Sequence, residues 1–137
     1  MARIGDAKWR RITERRCRSA KSVFHFDVPG SVAKSTHAGL PWLRVLRRHC
    51  RKRLHFWPFD GWQPPDGKSL ITEAYPSLCS HNYPRESRTP DQHDAYSITR
   101  WMAEADMAGR LDPWFAPELT PEERATANYE GWIFGVA

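Results

Sequence analysis

Followed as an alternation of apolar and polar positions, the chain breaks into short elements separated by Pro- and Gly-containing turns. Residues 7 to about 20 have helical character, but Trp9, Ile12 and Ala20 are too sparse to draw a core stripe, so this helix is expected to depend on a partner. Ser22 to Val28 alternates aromatic and β-branched residues up to Pro29-Gly30, which predicts a short strand and a turn. From Gly39 to Arg53, Leu40, Leu43, Leu46 and Cys50 recur at helical spacing with basic residues between them. That pattern predicts an amphipathic helix with Pro41 confined to its first turn.

Leu54 to Phe59 reads as a second strand, ended or pushed to a sheet edge by Pro58, and Gln63-Pro64-Pro65-Asp66-Gly67 as the turn leading to a third, Ser69 to Tyr75. His81 to Arg88 is a polar loop. Thr89-Pro90-Asp91-Gln92 is a capping box, with Thr89 as N-cap and Pro90 at the first helical position. It predicts a helix to about Arg110 with Ala95, Ile98, Met102 and Ala105 as its apolar stripe. A second box, Thr120-Pro121-Glu122-Glu123, opens a terminal helix toward Trp132 and Phe134. The order of elements predicts an α/β layer fold, a small mixed sheet with helices packed on it.

At 137 residues the chain is about one domain. Its seven tryptophans suggest a core built from large rings. No apolar run approaches the length of a membrane span, and the N-terminal residues lack the apolar segment of a secretory signal, so a cytoplasmic protein is expected. Cys17, Cys50 and Cys79 are odd in number and widely spaced, which argues against a disulfide framework or a zinc knuckle.

Charge changes the picture more than composition does. Residues 1–55 hold fifteen Lys or Arg against three acids, a net of +12, whereas residues 56–137 carry a net of −7. Arg10, Arg11, Arg15 and Arg16, with Arg18, and then Arg44, Arg47, Arg48 and Arg51 are dense enough to attract a phosphate backbone. Trp9 and Trp42 lie close by as stacking surfaces. The competing reading is a solvated face paired with the acidic half of the same protein.

Three acids are candidates for chemistry. Glu73 is a poor strand former that alternates onto the face of Ile71 and Tyr75, and so needs a reason to be there. Asp91 and Asp94 lie in the first turn of the capped helix, where Asp91 is also explained by the helix dipole alone. Together the three suggest a divalent-metal site. Other signals fail: Gly30 to Thr36 lacks the glycines that cradle phosphate in a P-loop, and no Gly-x-Ser-x-Gly elbow is present.

Glu73-Ala74-Tyr75-Pro76 and Asp91-Gln92-His93-Asp94-Ala95 resemble motifs of the predicted RNase H-like nuclease family of bacteria and archaea, domain of unknown function 429. Lys21-Ser22-Val23-Phe24, Gly39-Leu40-Pro41-x-Leu43 and Trp57-Pro58-Phe59-Asp60 extend the likeness over residues 21–137. The resemblance implies a basic N-terminal helix (1–20) followed by a partial RNase H-like domain (21–137). It further implies Glu73, Asp91 and Asp94 as catalytic acids, with Glu73 and Asp94 as ligands of Mg²⁺ or Mn²⁺, and phosphodiester hydrolysis as the activity. The family's leading aspartate comes from its first strand, which has no counterpart here, since Asp6 sits in no predicted strand. A weak or degenerate nuclease is therefore the expectation, because two-metal catalysis needs a clamp on both the attacking and the leaving oxygen. Asp27 and Asp60 are the acids placed to complete the set. A sheet edge left uncovered would favour a homo-oligomer or a partner chain. The alternatives are a non-catalytic nucleic-acid-binding module, in which the arginines are the function, and a protein-interaction module.

Overall fold

The computed structural model describes residues 9–17, 19–26 and 29–137. Asp6, Arg18, Asp27 and the ends of the first helix and first strand expected from sequence lie outside the described residues. The elements are α1 (Ile12–Arg16), α2 (Ala33–Cys50), β1 (Leu54–Phe56), β2 (Ser69–Ile71), two 3-10 turns (Pro76–Leu78 and Ser80–Asn82), α3 (Pro90–Met107), α4 (Asp112–Phe115) and α5 (Pro121–Glu130). None of the described helices is long and apolar enough to cross a membrane.

The result is a mixture of helices with a small sheet, compatible with the α/β expectation. β1 and β2 pair in parallel, with Leu54 opposite Ser69, His55 opposite Leu70 and Phe56 opposite Ile71. Past β2 the chain makes one further parallel bridge, Glu73 to Ile133, and the Phe134 N–H donates to the Glu73 carbonyl at 3.0 Å. All the pairings among the described residues are thus parallel, where a mixed sheet was expected. Ser22 to Phe26 forms turns and no strand.

The two helices whose starts are encoded by capping boxes begin where expected. The Thr89 hydroxyl accepts the Gln92 N–H while the Gln92 side chain accepts the Thr89 N–H, and Thr120 and Glu123 repeat the exchange. Two otherwise unpaired helix-end donors are satisfied at each site. α2 departs from expectation: it starts at Ala33, so Pro41 lies well inside the helix and not in its first turn.

The core is a nest of rings. Trp57, Trp132, Ile133 and Phe134 are buried at its centre with Ile12, Cys17, Ala20, Ala127 and Val136, and Trp62, Trp114, Phe115 and Met102 close its sides. Trp57 meets Phe134 edge-on at 5.2 Å and Trp62 at 5.3 Å, the arrangement in which a ring's positive edge faces a negative face. Each buried indole N–H finds an acceptor, Trp57 at the Trp62 carbonyl and Trp132 at the Val136 carbonyl. Trp101 stacks on Trp114 at 4.2 Å and lies against Gly135, where φ is +85° and an added Cβ would fall 2.4 Å from the indole.

α1 belongs to this core. It packs on α5, and the Thr13 hydroxyl accepts the Ile133 N–H while the Glu130 carboxylate accepts the Ile12 N–H. A segment that looks polar in sequence thus buries Ile12, Thr13 and Glu14.

Candidate functional site

Glu73 acquires its reason from Arg11. The guanidinium spans both carboxylate oxygens in a bidentate fork, with both contacts at 2.7 Å. The Arg11 Nε donates to Glu14 at 2.8 Å, and one terminal nitrogen also reaches the Glu130 carbonyl at 3.2 Å. Burial of Arg11 works against its charge, but hydrogen bonding and attraction to Glu73, and then to Glu14, outweigh it and push its pKa upward. The pair is lopsided in exposure: the Arg11 side chain is 8% exposed, that of Glu14 0%, and that of Glu73 41%. Tyr75, two residues along, donates its hydroxyl to the Ser19 carbonyl. Glu73 and Tyr75 therefore both face the N-terminal segment, as strand alternation places them. Around them lies a cleft of about 260 Å³ lined in part by Arg11, Glu14, Lys21, Val23 and Tyr75.

The helical acids are elsewhere in character. Asp91 is exposed in the first turn of α3 and Asp94 is half-buried. The Cys79 thiol, buried against the start of α3, is pushed up in pKa by desolvation and then by the charge of Asp94. α3 packs on the two 3-10 turns, and its buried positions are Ser97 and Ala105. Ala95, expected in the core stripe, is exposed, while Ile98 and Met102 are half-buried. Tyr83 leaves the preceding loop to donate to Glu104 at 2.9 Å.

Among the described residues no three His, Cys, Asp or Glu side chains are grouped as metal ligands would be. Glu73, moreover, already holds a full positive charge against both of its oxygens, at the place where a divalent ion would have to bind. Glu73, Asp91 and Asp94 thus do not form such a group among the described residues. Asp60 is similarly engaged, accepting from Arg47 and from the Phe56 N–H.

The arginines divide into two sets. Arg11, expected at a nucleic-acid surface, is buried with its guanidinium engaged by Glu73 and Glu14. Arg16 is half-buried, pairs with Glu123 at 2.9 Å, donates to the Glu118 carbonyl and lies over the Trp132 ring. Two hydrogen bonds, first from the Thr120 backbone and then from Arg16, hold the Glu123 carboxyl below the usual carboxylate range. Arg15 is exposed and donates to the carbonyl of half-buried Arg10.

Arg44, Arg47, Arg48 and Arg51 form the second set, the first three on one side of α2 and Arg51 at its C-cap. With Lys68 from the start of β2 and the single acid Asp60 they line an open cleft of about 790 Å³. Arg47 is neutralised by Asp60 and lies over Phe56. Arg44, Arg48, Arg51 and Lys68 make no ion pair within the described residues, so four cations converge on one concavity without internal neutralisation. Sequence pattern found the four arginines at i, i+3, i+4 and i+7, but Lys68 joins them only through the fold. Trp42 lies on the opposite side of α2, away from these cations. No family model, curated protein or solved structure matches the chain.

Proposed function

We propose that this chain is a non-catalytic nucleic-acid-binding module on a partial RNase H-like scaffold, in which the cleft between α2 and Lys68 holds the phosphate backbone. The observation that carries the reading is the convergence of Arg44, Arg48, Arg51 and Lys68 on one open concavity, each without an ion pair among the described residues. Ordinary surface arginines pair or disperse, and four cations held together repel one another unless an anion neutralises them. A polyphosphate backbone supplies such charge at regular spacing. The scaffold reading rests on the parallel pairing of the strand leading to Glu73 and on the Asp91–Asp94 turn opening a capped helix.

The fork between Arg11 and Glu73 favours binding over hydrolysis. The guanidinium supplies the charge that a metal ion would otherwise bring, and Glu73 serves to neutralise a buried arginine. The test is fluorescence anisotropy with labelled single-stranded and duplex oligonucleotides across a salt series. Four contacts predict a slope of log affinity against log salt of about −3 to −4 on a duplex. Arg44→Gln with Arg48→Gln should lower it by about 2. A slope near zero, or no binding at low salt, rejects the proposal. Cleavage of the same oligonucleotides with Mn²⁺, lost in Asp94→Ala, would establish the nuclease reading in its place.

A further inference from the structure

We infer that the groove beside the cationic cleft receives an unpaired base of a single nucleic-acid strand, guanine before the others, a reading that rests on the phosphate-binding role proposed for that cleft. The groove has a volume of about 570 Å³ and runs between the turn before β2, the last turns of α3 and the segment that includes α4. Lys68 stands in the wall of both concavities, so a phosphate held beside it has the groove as its neighbour. Leu70, Met102, Leu111 and Phe115 are half-buried and give the groove an apolar wall. Phe115 packs at the same time on Trp57 and Phe134, which fixes the position of its ring. A flat base gains from leaving water for a wall of this kind, and single strands are held by pairing such surfaces with a cationic groove that tracks the backbone.

Charge decides which end of a nucleotide enters. Asp66 and Asp106 also line the groove, both exposed, and neither makes an ion pair among the described residues. On the other side of Lys68 the cleft presents Arg44, Arg48 and Arg51. Carboxylates repel phosphate, so the backbone stays over the arginines and only the base is free to turn into the groove. Ionised carboxylates accept hydrogen bonds and donate none, which makes the groove select bases by their donors. Guanine alone among the common bases carries two adjacent donors on its pairing edge, N1–H and the N2 amino group, and a carboxylate can take both side by side. Thymine and uracil offer there a single donor between two carbonyl oxygens, which a carboxylate disfavours. In a duplex this edge is occupied by the opposite base and the rings are stacked, so the ligand is an unpaired nucleotide.

The test is fluorescence anisotropy on the full chain with short labelled oligothymidylates, one all thymine and one with a single central guanine, and with the duplex of each. The guanine should tighten single-strand binding by about 5- to 100-fold, the range of a bidentate base contact, and should make no difference within the duplexes. Asp66→Ser with Asp106→Ala should bring the two single strands within about twofold of each other. Ala103→Leu, which fills the groove from an exposed position of α3, should do the same, with circular dichroism confirming that each variant is folded. Arg44→Gln with Arg48→Gln should weaken both single strands and keep the difference between them. Equal, salt-dependent binding of the two single strands overturns the base groove and leaves the cationic cleft standing, whereas no binding of any oligonucleotide overturns both. A guanine preference that survives the change of both acids, or that appears equally in the duplex, overturns the inference by placing recognition elsewhere. Sedimentation of the free chain as a dimer that Ala103→Leu returns to the monomer would name a second copy as the occupant of the groove and overturn it equally.

Discussion

Replacing Arg11 by Met separates a structural role for Glu73 from a ligand role. The substitution keeps the apolar stem and removes the one cation that serves two carboxylates, Glu14 and Glu73, at 2.8 and 2.7 Å. Glu14 is fully buried, so its charge is left without compensation, and breaking a buried pair in this way costs about 3–5 kcal/mol. Glu73 is 41% exposed and can be hydrated when its partner is lost, so Glu73→Gln should cost no more than about 1 kcal/mol, the range of solvent-screened pairs. The assay is urea denaturation followed by tryptophan fluorescence, which the ring-filled core makes sensitive. With a slope of about 1–3 kcal/mol per molar urea, Arg11→Met should lower the midpoint by about 2 M, against a few tenths for Glu73→Gln. Adding Glu14→Gln to Arg11→Met removes the stranded charge while keeping an acceptor oxygen, and should recover part of the loss, a non-additivity expected of contacting groups. Equal losses in Arg11→Met and Glu73→Gln, or a loss under about 1 kcal/mol in Arg11→Met, would refute the assignment of Glu73 as the lesser partner of a buried network.

Three further outcomes follow from other parts of the molecule. Gly135→Ala meets the Trp101 indole at 2.4 Å and a φ of +85°, so it should cost on the order of 2 kcal/mol or more, measured by thermal denaturation. A stability change within a few tenths would show that the Trp101–Trp114 stack yields freely. Because the Glu123 carboxyl has a lowered pKa in the folded chain, its contribution is present at neutral pH, above its unfolded value, and is lost as pH falls through the folded one. The melting temperature of Glu123→Gln should therefore lie below wild type at pH 7 and converge with it in acid, and a gap that does not narrow would count against the Thr120 and Arg16 contacts as its cause. Millimolar Mg²⁺ or Mn²⁺ should move the melting temperature no further than NaCl of matched ionic strength, since Glu73 is already occupied by Arg11; a specific rise that Glu73→Ala removes would show a bound ion instead.

What could be settled from sequence alone was local. The starts of α3 and α5 follow from Thr89 with Gln92 and Thr120 with Glu123, because a capping box closes within three residues. The abundance of large rings pointed to a ring-built core, which Trp57, Trp132 and Phe134 form, although Trp42 stays exposed. The split between a cationic first part and an acidic remainder is equally plain. Tertiary structure decided the rest. Arg11 and Glu73 are 62 residues apart, and nothing in either local pattern distinguishes a surface arginine from one buried by two carboxylates. The same holds for α1, whose Thr13 and Glu14 look solvent-facing by periodicity but are buried because the backbone N–H groups of Ile133 and Val23 need their oxygens. The apolar stripe of α2 predicts an amphipathic helix, yet Leu40, Leu43 and Leu46 stay exposed, since among the described elements only β1 packs against that helix. Periodicity reports which side of a helix is apolar; whether another element arrives to cover it depends on contacts far away in sequence.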